Sequence, residues 1–203
     1  MKENIKSIIT LTLITLIAGA LLGYVYELTK EPIAAKTLEA KLDAYHKVFP
    51  EAADFKEDPG IDIGAAKSVL STAGYPDETI DECLVAVDPS GNALGHVLSV
   101  TTAEGYGGDI GVSMGIGNDG MLKGIEILSI SETAGLGMKA DTSEFKGQFA
   151  GKNVSKFSYT KSGAAADYEI DALSGATITT NAMVNAVNAG LEYVGSLAGG
   201  ADE

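Results

Sequence analysis

The segment Asp171-Ala172-Leu173-Ser174-Gly175-Ala176-Thr177-Ile178-Thr179-Thr180-Asn181 gathers hydroxyls, small residues and a carboxylate at the head of an apolar-periodic stretch. A turn of small residues there delivers hydroxyls to the start of a helix. Unpaired backbone N–H groups and the positive end of the helix dipole make such a start an anion site. A phosphate held there is stabilised although the chain has no arginine to clamp it. The same residues also suit an ordinary cap, with Thr179 or Thr180 capping the helix and Ser174-Gly175 making the turn. Two further runs are rich in glycine, Gly105-Tyr106-Gly107-Gly108 and Ser131-Glu132-Thr133-Ala134-Gly135-Leu136-Gly137-Met138. The first is too glycine-rich for strand or helix and free to let backbone approach another group closely; the second reads as a loop.

Other chemistries are excluded by what the chain lacks. The single Cys83 cannot build a disulfide framework, an iron–sulfur cluster or a zinc site of the usual cysteine type, and within the apolar run CLVAV it reads as a buried strand residue. His46 and His96 stand apart, without metal-ligand spacing, so no metal site is expected. There is no Ser-His-Asp order and no independent catalytic set. With 14 lysines, no arginine and 28 acidic residues among 203, the net charge of −14 argues against nucleic acid as a partner.

The elements that position these residues follow from hydropathy and turn chemistry. Residues 7–26 carry no charge, and a helix of that length spans roughly 30 Å, the thickness of a bilayer's hydrocarbon. Lys2 and Lys6 precede the run, so the positive-inside rule places a stub of residues 1–6 in the cytoplasm and the rest outside. A cleaved signal peptide is the competing reading, through Ala18-Gly19-Ala20, but the apolar run continues past that triplet. Gly19 and Gly23 form a GxxxG pair that permits close approach of another membrane helix.

Residues 27–80 read as a helical linker and the start of the exported domain. Pro32 opens a helical pattern whose apolar stripe is Leu38, Leu42, Tyr45 and Phe49, ending at Pro50. Residues 51–64 read as a loop, and a short helix or turn follows around residues 65–73. Between 83 and 130 two hairpins are expected, one turning at Pro89-Ser90-Gly91-Asn92 and one at Asn118-Asp119-Gly120. A short helix over 141–149 follows. A C-terminal amphipathic helix over 182–197 presents Met183, Val187, Leu191, Val194 and Leu197 on one face, before a tail over 199–203. The order implies an α+β fold, an N-terminal transmembrane helix followed by a domain over 81–198 in which helices flank an antiparallel sheet.

Asp171-x-x-Ser174-Gly175-Ala176-Thr177 resembles the flavinylation motif of the FMN-binding domain family. The resemblance implies that Thr177 receives FMN from a dedicated flavin transferase as a phosphoester, with Asp171, Ser174, Gly175 and Ala176 completing the motif. The GYGG run and the Glu132–Gly137 loop are similar to two further blocks of that family's electron-transfer members, with Ala134 where proline is usual. The anchor and the three blocks in order resemble the G subunits of the Rnf complexes, ion-translocating ferredoxin:NAD oxidoreductases. A protein like the C subunit of the sodium-pumping NADH:quinone reductases, an anchored structural or sensory module and a stand-alone flavin reductase domain are the alternatives. The resemblance implies an electron relay coupled to Na⁺ or H⁺ transport, working with other membrane subunits. It also implies that both glycine loops, through Tyr106, Gly107, Glu132, Thr133, Gly135, Leu136 and Gly137, lie near the flavin. Thr133 and Leu136 are candidates for polar and apolar ring contacts. Tyr106 is either a stacking residue or a core aromatic.

Overall fold

A computed structural model describes residues 2–199. Met1 of the expected stub and residues 200–203 of the expected tail lie outside these. The chain divides into two compact units, Met1–Ala40 and Lys41–Glu203. One helix, α1 (Lys2–Val48), includes the whole apolar run and passes through Pro32 without a break. Pro32 therefore does not open a second helix. Proline removes one N–H but keeps a helical φ, and the residues after it (Ala34, Ala35, Lys36, Leu38, Glu39) favour helix, so the ladder resumes. Within the first unit the apolar side chains of residues 7–26 are exposed, Ile8, Leu16 and Leu22 among them. The hydroxyls of Thr10 and Thr15 are satisfied by carbonyls of the preceding turn, at 2.9 Å from Lys6 and 3.1 Å from Leu11. Nothing lies within 4 Å of where a Cβ on Gly19 or Gly23 would sit.

The second unit begins with the last turns of α1. Of the expected stripe only Tyr45 and Phe49 are buried, joined by Ala44 and Val48, while Leu38 and Leu42 are exposed. A three-residue edge strand follows, β1 (Asp54–Lys56), in what reads from sequence as loop. Next comes α2 (Ile63–Ala73), capped by Asp62, whose carboxylate accepts from Gly64 N at 2.9 Å. The sheet continues through β2 (Glu78–Val87), β3 (Ala93–Thr102), β4 (Ile110–Gly117) and β5 (Leu122–Ser129). Its order is β1-β2-β3-β4-β5, antiparallel throughout. The two expected hairpins are there, and β3 also pairs with β4, which makes them one meander. A 3₁₀ turn (Gly137–Asp141) and a short helix, α3 (Ser143–Gly147), replace the single helix expected over 141–149. The strands β6 (Ser158–Thr160) and β7 (Glu169–Asp171) pair in parallel, and the closing helix is α4 (Thr177–Gly199).

Alternation along the strands decides which face each helix covers. Leu98, Val100, Val112, Met114, Ile116 and Ile125 point to the side packed against Ala182, Met183, Val184, Ala186, Val187 and Tyr193 of α4. Met183 and Val187 of the expected apolar face are fully buried, whereas Leu191, Val194 and Leu197 are only partly so. Side chains of the opposite parity, Val97 and Leu84, pack under Tyr45 and Val48 of α1. The Tyr45 hydroxyl is held there by Glu82 and by Ser99 at 2.6 Å. Gly115 lets α1 come close, since a Cβ there would stand 2.5 Å from the Val48 carbonyl oxygen.

Cys83 lies in the α4-facing core, and burial first, then the charges of Asp58 and Glu82, push its thiol up to about 12. A thiol reagent at neutral pH is therefore expected to leave Cys83 unmodified in the folded protein, with labelling appearing only as the chain unfolds in urea. Rapid labelling under native conditions would contradict the packing of β2 against α4.

Candidate functional site

The meander dictates where the three motifs meet. The β3–β4 connection, residues 103–109, lies at one end of the sheet, the β4–β5 turn lies at the other, and β5 returns to the first end before running into residues 130–136. The first glycine loop and the second are thereby neighbours, although a full hairpin separates them in sequence. The turn before α4 (which starts at Thr177) comes to the same end, where a Cβ on Gly175 would stand 3.1 Å from Leu136 Cδ2 of the second loop.

Glu132 joins the two loops. The residue is 9% exposed, and its Oε1 accepts from Tyr106 N at 2.7 Å and from Gly107 N at 3.2 Å. The approach is so close that a Cβ on Gly107 would stand 2.1 Å from the Ser131 carbonyl oxygen. A Cβ on Gly137 would stand 2.5 Å from Glu132 Oε2 and 2.6 Å from Thr179 Oγ1, so this glycine sits where the second loop meets α4.

The turn before α4 is closed by its own residues. Gly175 has φ 77, a left-handed conformation suited to glycine. The Thr180 hydroxyl accepts from Leu173 N at 3.0 Å and donates to the Ala176 carbonyl at 3.0 Å. Thr179 and Thr180 thus lie inside the first turn of the helix, buried, and not at its cap. Thr177 is half-buried, and its hydroxyl makes no hydrogen bond among the described residues.

Around these residues lies a cavity of about 640 Å³, within the usual range for small-molecule sites. Tyr106, Glu132, Thr133, Leu136, Gly137, Gly175, Ala176 and Thr177 line it, so eight of the residues singled out from sequence meet around one space. Tyr106 is 72% exposed and is not a core aromatic. Gly107, Gly135 and Ser174 belong to the same loops and turn without lining the cavity. Asp171 lies on β7 outside it, where its carboxylate accepts from Ala164 N at 2.6 Å and its N–H donates to Gln148 Oε1 at 2.6 Å. Ile178 and Thr179 also line the cavity. Their places at the second and third positions of α4 are the signal that identifies them, once the helix start is fixed at Thr177.

Substituting Gly137 with alanine is expected to cost about 1–3 kcal/mol of stability, because both atoms met by the new methyl belong to buried side chains. Urea unfolding of the full-length chain in detergent measures this; a loss below about 0.5 kcal/mol would mean that Glu132 and α4 are not held as described.

The FMN-binding domain family matches residues 105–192, a stretch that contains both glycine loops and the turn before α4. The chain is 34% identical to the G subunit of the ion-translocating oxidoreductase complex of Methanosarcina acetivorans over 201 residues, covering 98% of each chain. It is 29% identical to the G subunit of the Na⁺-translocating ferredoxin:NAD⁺ oxidoreductase complex of Acetobacterium woodii, covering 92% of this chain and 89% of that one. Among solved structures, Shewanella oneidensis NqrC superposes with a TM-score of 0.48 at 20% identity, over 58% of this chain and 60% of that one. With identity at this level over nearly the entire length, the chain belongs to the G-subunit family of ion-translocating oxidoreductase complexes.

Proposed function

We propose that this chain is the FMN-carrying, membrane-anchored electron-transfer subunit of an Rnf-type ion-translocating ferredoxin:NAD oxidoreductase, with the FMN joined to Thr177 through a phosphoester. The observation that carries the reading is the convergence of three motifs, far apart in sequence, on one cavity with an unengaged threonine hydroxyl at the head of a helix. The residues fit the group. Thr177 stands where first-turn amides favour a phosphate, Leu136 and Ile178 offer exposed apolar side chains, and Tyr106 offers an exposed ring.

When bound, FMN supplies one- and two-electron chemistry, which the protein has no residues to supply for itself. The chain's own residues bind and orient. Thr177 tethers, so the cofactor is not lost by dilution outside the membrane. Glu132 holds both loops at the cavity, and Gly137 lets α4 and the second loop close on each other. The chain acts as a relay within the complex. It passes electrons between membrane partners of the complex, in a reaction that couples ferredoxin oxidation and NAD reduction to Na⁺ or H⁺ transport. Residues 7–26 anchor it by a single span, with the lysine-bearing stub cytoplasmic and the FMN domain outside.

The full-length protein, produced together with an active flavin transferase, is expected to keep flavin absorbance after denaturation and washing. Peptide mass spectrometry should find one FMN on Thr177. Thr177→Ala should be colourless yet within about 1 kcal/mol of the parent in stability, since this side chain caps nothing. A folded wild-type protein that stays unmodified beside an active transferase would overturn the proposal.

A further inference from the structure

Behind the cavity lies a buried polar cluster that the flavin reading does not use. Glu78, the first residue of β2, is 4% exposed and stands opposite Thr102, the last residue of β3, on the sheet face covered by α4. Thr102 Oγ1 donates to Glu78 Oε1 at 3.4 Å and accepts from Glu104 N at 3.2 Å. The Glu104 carboxylate reaches α4, where Oε2 accepts from Asn185 Nδ2 at 2.6 Å and from Asn181 Nδ2 at 3.2 Å. Glu104 directly precedes the glycine loop, and Asn181 lies one helical turn beyond Thr177. The cluster thus ties together the end of the sheet, the base of the first loop and the opening turns of α4.

Its charges do not balance. Among the described residues neither Glu78 nor Glu104 has an ion-pair partner. Asp77, at the entry to β2, adds a further negative charge, and α4 offers Glu104 only neutral amides. From α2 the only charged residue is Lys67, which is exposed, while Asp54 and Lys56 of β1 pair at the far end of β2. Burial first, then the charge of Glu104, raises the Glu78 carboxyl to about 7, against the weaker opposing effect of the Thr102 hydrogen bond.

We propose that Glu78, Thr102, Glu104, Asn181 and Asn185 form a proton-dependent latch that holds the glycine loop of residues 105–108 against the first turns of α4. With the proton on Glu78 the cluster carries one charge, on Glu104, and both amides satisfy it. When the Glu78 O–H gives its proton to water, a second negative charge joins that of Glu104 without a cation, and the contact that opens is the base of the loop, where Glu104 N–H rests on Thr102 Oγ1 at 3.2 Å. A raised carboxyl stabilises the fold fully below the ordinary glutamate range, and that contribution is lost as pH climbs through about 7. The latch therefore closes in mildly acidic surroundings and loosens in alkaline ones. It acts on the protein fold, so it operates with or without flavin.

Hydrogen–deuterium exchange of the full-length chain in detergent micelles, corrected for the intrinsic pH dependence of exchange, tests the latch. The amides of residues 103–108 should exchange several-fold faster above neutral pH than below it, while those of β4 stay unchanged. Glu78→Gln, which imitates the protonated carboxyl, should remove the step and keep the loop protected at both ends of the range. Corrected exchange that is flat in the parent, or a step that persists in Glu78→Gln, would overturn the proposal. If Glu78→Gln fails to fold, Glu104→Gln decides it. Removing that neighbouring charge must move the step to lower pH, and an unmoved step rejects the latch.

Discussion

The cavity exists because one carboxylate, on Glu132, is kept inside the protein by backbone amides. Burying a charge is costly unless hydrogen bonds replace the lost water, and here Tyr106 N and Gly107 N do so. The cost is what makes the contact specific. A neutral side chain at 132 would tolerate several loop positions, whereas the carboxylate stays buried only with both amides in place. Much else is arranged to permit this. Gly107 allows backbone to touch backbone, Gly137 leaves room beside the other oxygen, and the meander brings β3 and β5 to the same end of the sheet.

The framework behind the loops is stiff where the site needs it. Met183 and Val187 are fully buried against Val100, Val112 and Met114, and side chains of this size contribute about 1.5–3 kcal/mol each on leaving water. The head of α4 is therefore fixed by a packed interface, whereas the loops facing it depend on a handful of polar contacts. Fixed helix start and lightly held loops are a common division of labour in binding sites, since loops carry recognition and the scaffold carries position.

How much of this was legible in the sequence depended on how local the physics was. The glycine loops and the Asn118-Asp119-Gly120 turn are written in residues whose backbone preferences hold almost anywhere, and those readings match the structure, whereas α4 begins at Thr177, ahead of the expected 182, and takes Thr179 and Thr180 into its first turn. The family, too, was legible from the three blocks. By contrast, β1, β6 and β7 are three-residue strands created by neighbours distant in sequence, and no local pattern announces them. Pro32 reads as the opening of a second helix, yet the helix formers on either side of it carry α1 straight through. Asp171 shares the motif of the turn in sequence, yet its carboxylate serves the chain segment at Ala164. Glu78 looked like one acidic residue among many, because burial of an ionisable group leaves no trace in composition.

The self-closed turn before α4 separates two tolerances that are usually linked. Leu173, Ala176 and Thr180 bond among themselves within eight residues, so Thr177 keeps its presentation whatever the distant loops do. The head of α4 thus offers the same short surface on a loosened domain as on a tight one, while the shape of the cavity waits for Glu132 to gather the loops. Sequence drift in the loops can then retune the cavity without disturbing the turn that opens α4.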